Sequence, residues 1–308
     1  MPPDPRIGLS VEELLRRSRW PVLRRLGIHP GGDERSRLRG PGMEYSDVRE
    51  YQPGDDPRSI EWTITARSDR PYVRESFPDR GLDAWLLVDV TRSLDWGTAR
   101  VLKRQLAVEV AVLAGQLLSG RGNRVGALLF GPIAHTVVRP AAGRTALMQL
   151  ITRVEHAGAA SASGDTDLGR ALTEAGRLIR RPSLLILISD FLTPDGWQKP
   201  LSSLGLRHEI ISIWIADPRE SDIPDIGVVT FEDPENGKQL LVDTSNKRLR
   251  ARFQEAAATQ RRRIKDDLIK ARSAVAEFST GSEVVPQLVQ FLKERQAQRG
   301  HRTAVAAR

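Results

Sequence analysis

In the stretch AWLLVDVTRSLDWG, residues 84–97, an apolar run gives way to oxygen donors at every second position, Asp89, Thr91 and Ser93. One carboxylate followed by two hydroxyls, with no imidazole or thiolate, is donor chemistry for a hard divalent cation, Mg²⁺ or Mn²⁺. Alternate positions of an extended segment send side chains the same way, and a small octahedral ion needs such convergence. Two further groups could join them. Asp190 ends the apolar run LLILIS, and Thr166 lies in SGDTDL, residues 163–168, which opens a helical pattern. A plainer reading stands beside this one: an Asp or Thr after a strand often caps a helix, and Asp165 or Thr166 would serve LGRALTEAGRLI in that way.

These residues meet only if the fold brings three strand ends to one rim. From Leu82 onward apolar runs alternate with amphipathic stretches. The pattern predicts a strand over 84–89 and a helix near 98–119, with Leu102, Leu106, Val110, Leu113 and Leu117 at three- to four-residue spacing. VGALLF reads as a strand with HTVV, residues 135–138, as its hairpin partner. Helices are predicted near 144–155, 167–180 and 195–204, and strands over LLILISD, 210–216, 227–231 and 239–243. A long basic helix over 246–278 and a last one over 283–296 complete the set, with a disordered basic tail from about Gly300. Unbroken apolar strands alternating with helices imply a parallel sheet covered on both faces. The expected fold class is therefore α/β, a doubly wound, mostly parallel sheet of Rossmann type, with a small β-rich extension before it. In such sheets ligands bind beyond the carboxyl ends of the strands, where Asp89 and Asp190 fall. Upstream, Ser10 and Glu13 form a capping box for a helix over 10–26, residues 27–42 read as a linker, and residues 43–80 as charged and turn-rich.

Composition excludes several classes. The 308 residues contain no Cys, so disulfides, thiolate metal sites and cysteine nucleophiles are absent. Five His are scattered, with no pair at the spacing of a metalloprotease helix. No run of about 18 apolar residues suggests a membrane span, and the N-terminus lacks the apolar core of a signal peptide, so a cytoplasmic location is expected. TVVRPAAGRTALMQLI is not a phosphate-binding loop, because Val138 and Arg144 stand where that loop needs Gly and Lys. No Ser-His-Asp set is visible, and His156 and His208 read as incidental surface residues. A Mg²⁺-dependent hydrolase remains an alternative, since a metal can activate water, although the set offers no base beyond the ligands. The net charge of +8 and pI of about 10.2 suit an acidic partner or simply an Arg-rich surface. No nucleic-acid motif accompanies the charge.

DVTRS resembles the D-x-S-x-S signature of von Willebrand factor A domains, with Thr91 standing for the middle Ser. The resemblance implies a metal-ion-dependent adhesion site in which Asp89, Thr91, Ser93, Thr166 and Asp190 hold Mg²⁺ or Mn²⁺ and a partner's carboxylate completes the shell. Residues 40–76 are similar to the N-terminal signature of the bacterial DUF58 family, through Arg49, Tyr51, Gly54, Asp55, Asp56, Arg58, Ile60, Glu61, Trp62, Ala66, Arg67 and Val73-Arg74-Glu75. That resemblance implies a non-catalytic adaptor working with a MoxR-type AAA+ ATPase. The expected organisation is a helix and linker over 1–37, a family-specific segment over 38–80 held to the main domain by an ion-pair network, an A-type domain over 81–245, basic helices over 246–299, and a tail over 300–308. Ile60 and Trp62 argue that the 38–80 segment is not purely solvated.

Overall fold

A computed structural model describes residues 48–52, 55, 57, 60–68, 70–74, 83–119, 123–131, 135–159, 167–232 and 238–306. The expected helix over 10–26, the linker over 27–42 and Thr166 lie outside these residues. The chain divides into two compact units, Leu23–Arg80 and the part that begins at Gly81.

In the smaller unit, β1 (Val48–Glu50) pairs antiparallel with β2 (Tyr72–Arg74). Between them lies a single helical turn, α1 (Trp62–Thr65), capped by the Glu61 carboxylate, which accepts from Thr63 N–H at 3.3 Å. Ile60 bridges to Val73, and Tyr51 N–H donates to the Pro71 carbonyl at 2.9 Å. Glu50 pairs with Arg70 at 3.0 Å in the open, and exposed pairs of this kind contribute about 0–1 kcal/mol. Of the two residues read as arguing against a purely solvated segment, Trp62 is 69% exposed and Ile60 is partly buried.

The larger unit is built on a six-stranded sheet in the order β10 (Ser273–Ser279), β7 (Glu209–Ala216), β6 (Leu184–Ser189), β3 (Asp83–Asp89), β4 (Arg124–Phe130), β5 (Thr136–Ala141). Its central strands are β3, β4, β6 and β7, all mutually parallel and almost wholly buried. They are the apolar runs read from the sequence, buried on both faces as a parallel sheet requires. The edge strand β5 (Thr136–Ala141) returns antiparallel to β4, as HTVV predicted.

Helices cover both faces. On one side, α4 (Leu168–Leu178), α5 (Gln198–Gly205) and α6 (Lys247–Lys270) bury Leu172, Leu201 and Leu268 against Trp85, Leu187 and Trp214. On the other, α2 (Lys103–Leu118) lies over β3, β4, β6 and β7 and packs against α3 (Arg144–Ala159) and α7 (Val284–Ala306). A separate two-stranded hairpin, β8 (Val228–Glu232) with β9 (Gln239–Asp243), precedes α6.

The C-terminal half differs from expectation in three places. The basic helix stops at Lys270 rather than continuing to 278, because Arg272 takes the left-handed conformation, φ 62°. After it, β10 (Ser273–Ser279) pairs parallel with β7 as the second edge of the sheet. The last helix extends to Ala306, past the Gly300 where a tail was expected. His208 also departs from its reading as a surface residue: it is 7% exposed, and neither ring nitrogen has a hydrogen-bond partner among the described residues.

The turn after α6 fits closely against α5. A Cβ on Gly205 would lie 2.3 Å from the Ala271 carbonyl oxygen, a main-chain atom that cannot rotate away. Gly205→Ala should therefore cost about 1–3 kcal/mol in urea unfolding, and a change under about 0.5 kcal/mol would show that this contact yields freely.

Candidate functional site at the carboxyl edge of the sheet

The chain leaves β3 at Asp89 and enters a short 3₁₀ turn, Arg92–Asp95, so Asp89, Thr91 and Ser93 crowd together. All three are buried. Asp89 Oδ1 accepts from Thr91 N–H at 3.0 Å and from Thr91 Oγ1–H at 2.6 Å. The Thr91 and Ser93 hydroxyl oxygens are 3.0 Å apart. That separation matches neighbouring corners of an octahedron around an ion about 2.1 Å from each oxygen. The other Asp89 oxygen, Oδ2, accepts from Ser189 Oγ–H at 2.7 Å, which ties β3 to the end of β6.

Asp190 follows directly and is 1% exposed. Its direction is set by an unusual turn in which Phe191 has φ 56°, a conformation that costs a bulky residue about 1–3 kcal/mol. Phe191 is held there by packing on Trp197 and Trp214. Asp190 Oδ1 accepts from Leu192 N–H at 3.0 Å, and Oδ2 meets the Lys103 ammonium at 2.7 Å. Lys103 is itself only 1% exposed and also bonds Glu220 Oε1 at 2.7 Å. Glu220 belongs to the turn Pro218–Glu220 after β7, and its other oxygen accepts from Asp217 N–H at 3.0 Å. The structure thus brings Asp89, Thr91 and Ser93 together and sets Asp190 beside them with an ammonium attached. Thr166 lies outside the described residues.

The charges do not balance. Asp89 and Asp190 are buried carboxylates and Glu220 a partly buried one, and Lys103 supplies one ammonium among them. Burial first, and then the Asp190 charge, push the Asp89 carboxyl up to about 7 against the three hydrogen bonds it accepts. Burial likewise raises Glu220, and Lys103 only partly offsets it. For Lys103 the burial penalty is outweighed by Asp190 and Glu220, which hold it charged. Among the described residues no three His, Asp or Glu side chains surround a common point, so an ion here would rest mainly on hydroxyls with few carboxylates. Asp89, Thr91 and Ser93 could hold one, and its charge would relieve Asp89.

Three participants were not anticipated: Lys103, Ser189 and Glu220. Lys103 left a trace in the sequence, because it shares the helix face of Leu106, Ala107, Val110 and Ala114 at i+3, i+4, i+7 and i+11. Ser189 sits beside Asp190 in an apolar strand and reads there as a strand residue. Nothing local marks Glu220.

A family model described as "Protein of unknown function DUF58" matches residues 47–263. The chain belongs to that family. Among its relatives, the uncharacterized protein Rv1480 of Mycobacterium tuberculosis is 36% identical over 266 residues, which is 86% of this chain and 83% of that protein. Solved structures with a similar trace include BatB, a conserved hypothetical protein from Bacteroides thetaiotaomicron. It is 13% identical, covered over 98% of its length and 70% of this chain, with a TM-score of 0.45. The SpRpn10 VWA domain is 11% identical, covered over 93% of its length and 68% of this chain, with a TM-score of 0.35. Within this DUF58 protein, no helix among the described residues is long and apolar enough to cross a membrane.

Proposed function

We propose that this DUF58 protein is a non-catalytic interaction module that docks a partner protein at the carboxyl edge of its sheet. Asp89, Thr91 and Ser93 hold Mg²⁺ or Mn²⁺ directly, Thr166 and Asp190 support it through water, and a carboxylate of the partner becomes the ion's last ligand. The partner we favour is a MoxR-type AAA+ ATPase. The observation that carries this reading is the buried, under-compensated Asp89 beside two hydroxyls 3.0 Å apart. An ion held mainly by neutral hydroxyls keeps much of its attraction for an incoming carboxylate, because few protein charges have already neutralised it.

Capture of the cognate ATPase, measured with and without EDTA for wild type and Asp89→Ala, tests the proposal. Chelation and substitution should each abolish capture. High salt should weaken it, since the chain's net charge of +8 steers acidic surfaces only over a Debye length. Capture indifferent to both treatments would place the contact elsewhere. The basic helix α6 would then be the next surface. Arg261 there is committed to Glu277 and lies over Trp214, and Arg263 pairs with Asp195. Arg262 is exposed and lines a cleft of about 620 Å³ beside Asp217 and Ser221.

A further inference from the structure

Lys103 is the buried group that the docking chemistry leaves unused. A lysine ammonium loses several kcal/mol of hydration on burial, and an apolar side chain of the same length would fill the space on α2 without that cost. Yet the ammonium is fixed at 2.7 Å from both Asp190 and Glu220, and 5.7 Å from the Trp96 ring centroid. With Lys103 on one oxygen and Leu192 N–H on the other, both Asp190 oxygens are engaged. Asp89 receives only neutral donors, from Thr91 and Ser189. The Lys103 ammonium is therefore bound to Asp190 and Glu220 rather than to Asp89, while the Arg104 guanidinium reaches the Thr91 carbonyl and Asp95 at this edge.

We infer that Lys103 is a tethered resident cation that takes up Asp190, confines any divalent ion to the Asp89–Thr91–Ser93 corner, and keeps that ion weakly bound. This rests on the metal reading given above. It makes Lys103 a positioning residue: it lies in no ion's shell itself and decides which carboxylates are free to enter one. A fixed positive charge a few ångströms from a divalent ion also repels it directly. Both effects have one sign, so removing the charge should tighten binding. That is opposite to the result expected if Lys103 merely braces the fold, where its loss would loosen the site.

The experiment is a Mn²⁺ titration, by calorimetry and by the electron paramagnetic resonance signal of free Mn²⁺, on the full chain. Lys103→Met keeps the stem and removes the charge, and it should bind Mn²⁺ at least about tenfold more tightly than wild type. Adding Asp190→Asn to Lys103→Met should return the affinity to within about threefold of wild type, because the gain comes from the released carboxylate. Equal or weaker binding by Lys103→Met, in a protein whose binding is still lost in Asp89→Ala, overturns the role of Lys103 and leaves the metal site standing. Binding that ignores Asp89→Ala in both backgrounds overturns the site itself. Should Lys103→Met fail to fold, Glu220→Gln gives an independent answer. It leaves the ammonium with one carboxylate fewer and should weaken Mn²⁺ binding by about threefold or more, whereas unchanged affinity counts against the inference.

Discussion

With divalent ions chelated at pH 8, Asp89→Asn should melt at a higher temperature than the wild-type protein, although it removes a residue at the centre of the site. The Asp89 carboxyl is 2% exposed, and burial and the neighbouring Asp190 raise it to about 7. An unfolded Asp ionises near about 3.9. Between those values the folded chain keeps the proton and the unfolded chain has lost it, so wild-type stability falls as pH rises through the window and is lowest above it. Asparagine never ionises, and its carbonyl can still accept from Thr91. The melting gap between the two proteins should be wide at pH 8 and small at pH 4.5. Saturating Mn²⁺ should reverse the order, since an ion that binds only the folded wild type stabilises it by mass action. A gap that is equal at both pH values, or Mn²⁺ stabilising both proteins alike, would disprove the account of Asp89.

Asp217→Ala should be among the most destabilising single substitutions in the chain. Asp217 follows β7, is 1% exposed, and accepts four hydrogen bonds: Thr98 N–H at 2.8 Å, Thr98 Oγ1–H at 2.6 Å, Thr280 Oγ1–H at 2.6 Å and Arg219 N–H at 2.9 Å. One carboxylate thus joins the segment before α2, the end of β10 and the turn after β7. Alanine strands four donors, two of them hydroxyls, and we expect a loss of about 3–5 kcal/mol. Burial by itself would raise this carboxyl, but the bonds from Thr280, Thr98 and Arg219 outweigh it and hold it below the usual carboxylate range. The sign is therefore opposite to that of Asp89. Its contribution is complete above about pH 4 and is lost only as pH falls through the depressed folded value. Urea unfolding at pH 7 measures the effect, and a loss below about 1 kcal/mol would mean that the three segments hold without their shared acceptor. Asp217→Asn, which keeps part of the acceptor capacity, should fall between the two.

How much of this was legible beforehand depended on how each residue declares itself. AWLLVD, VGALLF, LLILIS and IISIWIA are continuous apolar runs, and only a strand buried on both faces explains them, so the central sheet and its carboxyl edge were readable. The Asp89-Thr91-Ser93 spacing was readable for a similar reason, because alternation is a local property. β10 was not. SAVAEFS follows a helix rich in Lys and Arg with no Gly or Pro between them, and the break rests on Arg272 adopting a conformation the sequence does not advertise. Lys103 shares an apolar helix face, but a lysine near the start of a helix is normally solvated, and only the positions of two carboxylates 87 and 117 residues away account for its burial. The partners of Asp217 are equally non-local, 119 residues back to Thr98 and 63 forward to Thr280.

The position of β10 has a bearing on how the chain is made. β7 lies between β6 and β10, and β10 is separated from it by a hairpin and the 24 residues of α6. During synthesis, β7 emerges with one edge paired and the other offering its row of N–H and C=O groups to any passing strand. Chains emerge at about 5–20 residues per second, so that edge stays open for several seconds until residues 273–279 arrive. A ribosome that stalls in α6, or an expressed fragment that ends at the β8–β9 hairpin, would leave IISIWIA permanently open. Such products should be found in aggregates or bound to chaperones, while the full-length chain closes its own edge.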